Sequence, residues 1–360
     1  MIASLRTLHT ALIAAILAAV SGCGGGGGNG GGGDGGGNLA AQIATSACST
    51  TPQSQTMTGT LNDTDLEIPA LLMYSLNADG SGGTGPITTS KGATVTITNQ
   101  TTGAFTYQPD TAAGDKRGKD KFDYQVTDQD GGVASASRTI IVDQTIMPLG
   151  DSITAGDITW TTPLAATRVG YRKPLYDTLL KQGFTFDFVG SLNEGYGVSP
   201  FDFNHEGHGG WKASDIAWGQ TAATDDDGVY AWLDANPADI VLLHVGTNGL
   251  TADADIDVEA VLNEIQRWED SAEGNHVTVV LAKIIDWVPH NSIVDEFNTN
   301  LQSMADKRIA NGDDIIVVDQ RDALNYQDDM GNMVHPNAIG YGKMSDVWFN
   351  ALTNLLDKCP

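Results

Sequence analysis

Two periodicities divide the chain. Between about residue 53 and residue 143 apolar and polar positions alternate, as in Ala93 to Thr98, Ala104 to Gln108 and Lys121 to Val126, and Gly, Asn and Asp separate these segments. Period-two segments bounded by turn residues predict an antiparallel β-sandwich. From Thr145 onward the pattern changes. Apolar runs at Ile146 to Leu149, Thr185 to Val189, Ile240 to Val245, His276 to Ile285 and Asp314 to Val318 read as strands. Between them, helical spacing appears at Tyr171 to Gln182, at Val258, Val261, Leu262, Ile265 and Trp268, and at Ile293, Phe297, Leu301 and Met304, with a closing helix over Ala338 to Leu356. Strands that alternate with helices predict a three-layer α/β/α domain on a mostly parallel sheet.

The N-terminal stretch fits neither pattern. Residues Met1 to Val20 carry Arg6 and then an apolar run from Ala11, too short for a stable bilayer anchor. The run ends Val20-Ser21-Gly22-Cys23, which resembles a bacterial lipoprotein lipobox. That resemblance implies lipidation at Cys23, with an outer-membrane, cell-surface or periplasm-facing position; an ordinary secretory signal is the alternative. Residues Gly24 to Gly37 are nearly all glycine and read as a tether. The expected organisation is a signal peptide over 1–22, a lipidated cysteine and linker over 23–52, the sandwich over 53–143 and the α/β domain over 144–360. Cys48 and Cys359 remain, either as a disulfide in an exported chain or as two free thiols.

Charge narrows the partners. Asp and Glu number 45 against 19 Lys and Arg, a net charge of −26. Nucleic acid and anionic lipid surfaces need the opposite balance. Any membrane association therefore runs through the lipid anchor, and the chain is expected to be a monomer.

Four loops at strand ends share one chemistry. Gly150-Asp151-Ser152 follows the first strand of the α/β domain, and His205 to Trp211 reads H-E-G-H-G-G-W. Gly246-Thr247-Asn248 follows a buried strand, and His335-Pro336 opens the last helix. Together they supply a nucleophile, oxyanion donors and a base. In this order they resemble the four blocks of the SGNH, or GDSL, hydrolase superfamily, over residues 145 to 358. The resemblance implies a flavodoxin-like fold with Ser152 as nucleophile and His335 as general base. It also implies an oxyanion hole built from the N–H groups of Ser152 and Gly210 and the Asn248 amide. The segments I-M-P-L-G-D-S-I-T, G-Y-R-K-P-L-Y and H-P-N-A-I-G-Y-G-K-M look like the carbohydrate esterase family 3 branch, which implies deacetylation of polysaccharide such as acetylxylan without a cofactor. Trp160, Trp211 and Trp287 lie where a sugar ring would be met.

Two positions depart from the family pattern. Asn332 stands three residues before His335, where an aspartate would orient the histidine, and Gly249 replaces an aspartate after Asn248. Asn332 itself, Asp328 or Asp329, or a backbone carbonyl are the candidates for orienting His335. His205, Glu206, His208 and His244 show no recognised metal spacing, and Asp151 reads as a loop brace. The sandwich segments resemble cadherin-like or tandem Ig-like modules of bacterial surface proteins. In them Asp63, Asp65, Asp128 and Asp130 are either Ca²⁺ ligands or solvated turn residues. Two other functions fit the same residues: a general short-chain lipase or esterase, and a catalytically weakened adhesion or glycan-binding protein.

Overall fold

A computed structural model of the chain describes residues 48–61, 72–76, 83–112, 116–129, 131–157, 164–220 and 228–359. The region from residue 39 forms one compact unit. Its first part holds strands β1 (Cys48–Thr51), β2 (Met57–Thr60), β3 (Met73–Ser75), β4 (Ile87–Thr88), β5 (Thr94–Asn99), β6 (Ala104–Gln108), β7 (Gly118–Thr127) and β8 (Val133–Val142). They form two sheets, ordered β1-β8-β7-β3 and β2-β6-β5-β4. Alternation decides which side chains face inward. In β7 Phe122, Tyr124 and Val126 are buried while Lys121 and Asp123 face out, and they close on Phe105, Tyr107, Val95 and Ile97 of the other sheet. The sandwich differs from the sequence expectation in one respect: β1 pairs parallel to β8 and lies in the stretch assigned to the linker. A four-residue edge strand with a mixed apolar pattern carries too little periodicity to stand out.

Asp143 alone separates β8 from the first strand of a third sheet. That sheet contains β9 (Gln144–Gly150), β10 (Phe186–Phe188), the short β11 (Glu206–Gly207), β12 (Ile240–His244), β13 (Thr278–Lys283) and β14 (Ile315–Asp319). All its pairings are parallel, in the order β10-β9-β12-β13-β14, with β11 on the end of β9. This is the flavodoxin-like order, whose switch point lies between the first and third strands, here β9 and β12. The helices are α1 (Ser152–Ala155), α2 (Arg172–Lys181), α3 (Ala213–Trp218), α4 (Val229–Ala235), α5 (Asp255–Glu269), α6 (Ser292–Asn311) and α7 (Ala338–Leu352). Val241 and Leu243 of β12 pack with α3 to α6, whereas Ile240 and Leu242 pack with α2 and α7, which makes the three layers. The sequence missed α3 and α4, which are six and seven residues long, too short for helical spacing to show.

The sandwich docks on the amino ends of this sheet. Arg117 pairs with Asp239 at 3.1 Å, and the Lys119 N–H donates to Asp357 at 2.7 Å. Gln144 receives the Asp357 N–H at 2.9 Å, and Asp239 receives the Thr145 N–H at 2.7 Å. A Cys48–Cys359 disulfide, with Cα atoms 5.5 Å apart, closes a loop of sequence separation 311. Ligands in such sheets bind at the carboxyl ends. The sandwich therefore braces the end opposite the site described below.

Of the acidic loop residues considered for Ca²⁺, Asp63, Asp65 and Asp130 lie outside the described residues. The Asp128 carboxylate accepts from the Gly132 N–H at 2.6 Å and closes the β7–β8 turn. Cys23 and the N-terminal segment also lie outside the described residues.

Removing the disulfide by Cys48→Ser with Cys359→Ser frees a very long loop in the unfolded chain. The expected loss is about 3–5 kcal/mol of unfolding free energy, read from a guanidinium melt by extrapolation to water, with the slope rising as the unfolded chain expands.

Candidate active site

The strand β9 ends against β12, with Gly150 opposite His244. A side chain at Gly150 would bring its Cβ within 2.1 Å of the His244 carbonyl oxygen, so only glycine lets the two strands close there. Beyond it the Asp151 carboxylate caps α1, accepting from the Ile153 N–H at 2.9 Å, and Ser152 opens the helix. Asp151 is fully buried, and burial lifts its carboxyl to about 7. It acts as the brace expected from its position.

Ser152 Oγ lies 2.8 Å from His335 Nε2, although 183 residues separate the two in sequence. They line a cavity of about 340 Å³ with Asp157, Gly210, Thr247, Asn248, Gly249, Trp287, Met333 and Val334. Gly210, in a left-handed turn with φ of 81°, follows β11, and Asn248 follows β12. The Asn248 amide donates one N–H to the Trp211 carbonyl at 2.9 Å, which ties the two donor loops together and leaves its second N–H. Ser152, His335, Gly210 and Asn248 thus meet at the switch point.

The three tryptophans expected at the site fare differently. The Trp211 ring packs against His208, centroids 4.4 Å apart, and against the core, so its carbonyl rather than its ring serves the site. Trp287 does line the cavity; Trp160 lies outside the described residues. Gly249 has φ of 68° and sits under the Lys212 side chain, where a Cβ would come within 2.8 Å, so an aspartate here would carry left-handed strain and require the Lys212 side chain to shift. The loop histidines are structural. His208 Nε2 lies 2.9 Å from the buried Glu206 carboxylate, and His205 Nδ1 accepts from the Gly207 N–H. His244 is buried in the strand, where desolvation lowers it to about 4 and keeps it neutral. Among the described residues no cluster of three or more His, Cys, Asp or Glu is placed to hold a metal ion.

The structure selects among the candidates for orienting His335. Asp328 and Asp329 do not reach it. Asp328 accepts from the Asn325 amide at 2.7 Å, and the buried Asp329 carboxylate takes the Asn325 N–H at 2.6 Å and the Lys343 ammonium at 2.5 Å. They brace the turn into α7. Asn332 is the partner instead, with Nδ2 2.9 Å from His335 Nδ1. Its Oδ1 accepts two backbone N–H groups, from Val334 at 2.9 Å and His335 at 2.8 Å. Both donors would oppose a flipped amide, so Nδ2–H faces the ring. The His335 Nδ1 lone pair therefore accepts, and the ring proton sits on Nε2. A base needs the other tautomer. Turning Nδ1–H toward the amide breaks a hydrogen bond and faces two donors, at about 1–3 kcal/mol.

The strand order, the switch-point site and the four blocks resemble those of SGNH-class serine hydrolases, and the region before them resembles a bacterial Ig-like module. Residues 39–141 match the bacterial Ig domain model. Over 244 residues, 62% of this chain, the sequence is 28% identical to a multidomain esterase of Ruminococcus flavefaciens. The matched region spans 30% of that relative's length. Among solved structures, a carbohydrate esterase family 3 protein from Talaromyces cellulolyticus is 25% identical, with 59% of this chain and 97% of that one covered and a TM-score of 0.45. A family 3 carbohydrate esterase of Clostridium thermocellum is 24% identical, with 59% and 96% covered and a TM-score of 0.48.

The sequence did not single out Asp157, Arg172 or Glu194. Arg172 is fully buried and donates to the carbonyls of Thr154, Ala155, Arg168, Glu194 and Phe203 at 3.0–3.2 Å. Glu194 stands 2.9 Å from His205 and is held near 2 by that contact. A basic residue at the head of a helix whose buried positions, Leu175 and Leu179, lie on the same face was the available signal.

In Asn332→Asp, one carboxylate oxygen keeps the two backbone N–H bonds and the other receives Nδ1–H. The ring proton should move from Nε2 to Nδ1, read from the imidazole ¹⁵N shifts. Inactivation of Ser152 by a fluorophosphonate should accelerate by between about tenfold and about 10⁴-fold, the upper figure being the cost of the reverse exchange in a serine protease.

Proposed function

We propose that this chain is a serine esterase that removes acetyl groups from O-acetylated polysaccharide, acetylxylan being the leading candidate. The observation that carries the reading is the 2.8 Å Ser152–His335 contact inside a cavity that Gly210 and Asn248 also line. In the reaction Ser152 Oγ bonds to the ester carbonyl carbon as its proton passes to His335 Nε2. The developing oxyanion takes the N–H groups of Ser152 and Gly210 and the second amide N–H of Asn248. His335 then returns the proton to the departing sugar oxygen, leaving acetyl-Ser152, which water attacks with His335 again as base.

The ring that starts this cycle is the minor tautomer, so turnover is slowed by the Asn332 contact. The restricted cavity suits a short acyl group, and Trp287 on its wall supplies a face for a sugar ring. The relative and the family 3 structures named above support the ester class. The chemistry requires no cofactor, and a monomer suffices. We also propose export and anchoring through a lipidated Cys23; the Cys48–Cys359 disulfide supports an oxidising compartment. The Asn332 geometry favours one further reading, a glycan-binding surface protein with residual activity.

Purified protein should release acetate from acetylated xylan and cleave p-nitrophenyl acetate faster than longer p-nitrophenyl esters. The Ser152→Ala variant should do neither, and Asn248→Ala should lose about 10²- to 10³-fold in kcat. Preference for longer acyl chains would mark a general lipolytic enzyme. Glycan binding that persists in Ser152→Ala without hydrolysis by the wild type would mark the binding protein.

A further inference from the structure

We propose that Asp157, in the loop after the nucleophile helix, supplies the negative charge that stabilises the His335 imidazolium, a role that the neutral Asn332 leaves open. The inference rests on the serine esterase reading. Asp157 is fixed at both ends of its backbone. Its N–H donates to the carbonyl of Ser152 itself at 2.9 Å, and its own carbonyl accepts the hydroxyl of the buried Tyr341 of α7. Asp157 lines the same cavity as Ser152 and His335. A methyl group placed on Gly209 would touch both Asp157 Oδ2, at 3.8 Å, and Ser152 Cβ, at 3.9 Å, so carboxylate and nucleophile stand over the same glycine.

Three other carboxylates of the described residues near the histidine are committed elsewhere. Asp329 is taken by Lys343, Asp328 by Asn325, and Asp151 is buried behind Ser152 with its carboxyl raised to about 7. Burial lowers the His335 pKa below the usual imidazole value, and Asp157 opposes that shift. Reciprocally, burial raises the Asp157 carboxyl, whereas Arg168 and His335 pull it down and Glu194 adds to the rise. Arg168 is the modulator. Its Nε lies 2.9 Å from Asp157 Oδ1, and its other face meets Glu194 at 3.5 Å. During acylation the serine proton arrives at Nε2, and the imidazolium so formed shares a partly buried cavity with a carboxylate, where a charge acts with less screening than in water. Asp157 thus acts through His335 and is a positioning residue.

The two members of the pair give opposite signs. Asp157→Asn removes the negative charge and should lower the His335 pKa. Arg168→Met unmasks that charge and should raise it, while Arg168→Lys should leave it near the wild-type value. The test is titration of the His335 ring by NMR in the full chain of each variant, with folding checked by circular dichroism. The acid limb of kcat/KM for p-nitrophenyl acetate should move in the same directions. In Asp157→Asn kcat should fall about tenfold with little change in KM, and the fall should shrink in the Asn332→Asp background, where a second carboxylate holds the ring. An unmoved His335 pKa in both Asp157→Asn and Arg168→Met overturns the proposal, as does a loss confined to KM. If the ring titrates as expected but no ester is cleaved, the electrostatic pairing stands and the esterase reading fails.

Discussion

One buried cation fixes the geometry of the nucleophile. Arg172, at the start of α2, is surrounded by backbone carbonyls from α1, from the Arg168 turn and from the loops at Glu194 and Phe203. Desolvation lowers its pKa to about 10, yet it stays charged at neutral pH, and five carbonyl groups satisfy it. A buried charge that loses such partners is strongly destabilising, which makes the arrangement close to all-or-none. The positions of several side chains follow. Anchoring the Glu194 carbonyl aims its carboxylate at His205 and Arg168, and anchoring the Arg168 carbonyl aims its guanidinium at Asp157. His205 in turn receives the Gly207 N–H and sets the path of the loop that carries Gly210. Nucleophile, oxyanion loop and cavity carboxylate are thus referred to a single residue.

Most of the architecture was legible because it depends on local periodicity. The sandwich strands alternate, the sheet strands Ile240–His244 and Thr278–Lys283 are continuous apolar runs, and α5 and α6 carry helical spacing over 15 and 20 residues. Ser152, Gly210, Asn248 and His335 were legible because short motifs end strands or open helices. What stayed hidden depends on tertiary geometry. The partner of His335 rests on which oxygen two backbone N–H groups choose, and sequence spacing could not separate Asn332 from Asp328 or Asp329. Asp157 carries no motif of its own; its role comes from a backbone bond to Ser152 and from Tyr341, 184 residues away. The Trp211 ring was misplaced because a tryptophan beside a glycine turn has the same sequence whether it faces a ligand or the core.

The sandwich and the hydrolase domain are joined more firmly than a tether would join them. One residue links β8 to β9, and β1 adds to the same edge as a parallel strand. The disulfide fixes the first residue of that strand to the segment after α7, beside the Asp357 and Arg117 contacts. These contacts gather at the amino ends of the parallel strands. The module can therefore set the position and stability of the hydrolase domain without entering its cavity. The open end of the sheet, where the Ser152 cavity lies, stays clear.

The neutral orienter and the cavity carboxylate make sense as a pair. A carboxylate at position 332 would stabilise the imidazolium from the Nδ1 side, while Asp157 already acts from the cavity side. Two anions flanking one ring would raise its pKa and protonate the base in mildly acidic media, where the unprotonated ring is the one that accepts the serine proton. With Asn332, burial dominates and His335 remains unprotonated to lower pH. The cost is a resting tautomer that must be left before each proton transfer, and the Arg168–Asp157 pair then sets how much charge reaches the ring. On the proposed esterase reading, the site would give up rate at neutrality and keep an unprotonated ring to lower pH. The same surroundings explain why Asp151, although next to the nucleophile, cannot take over: it is buried behind the strand end and holds the α1 N–H group instead of the ring.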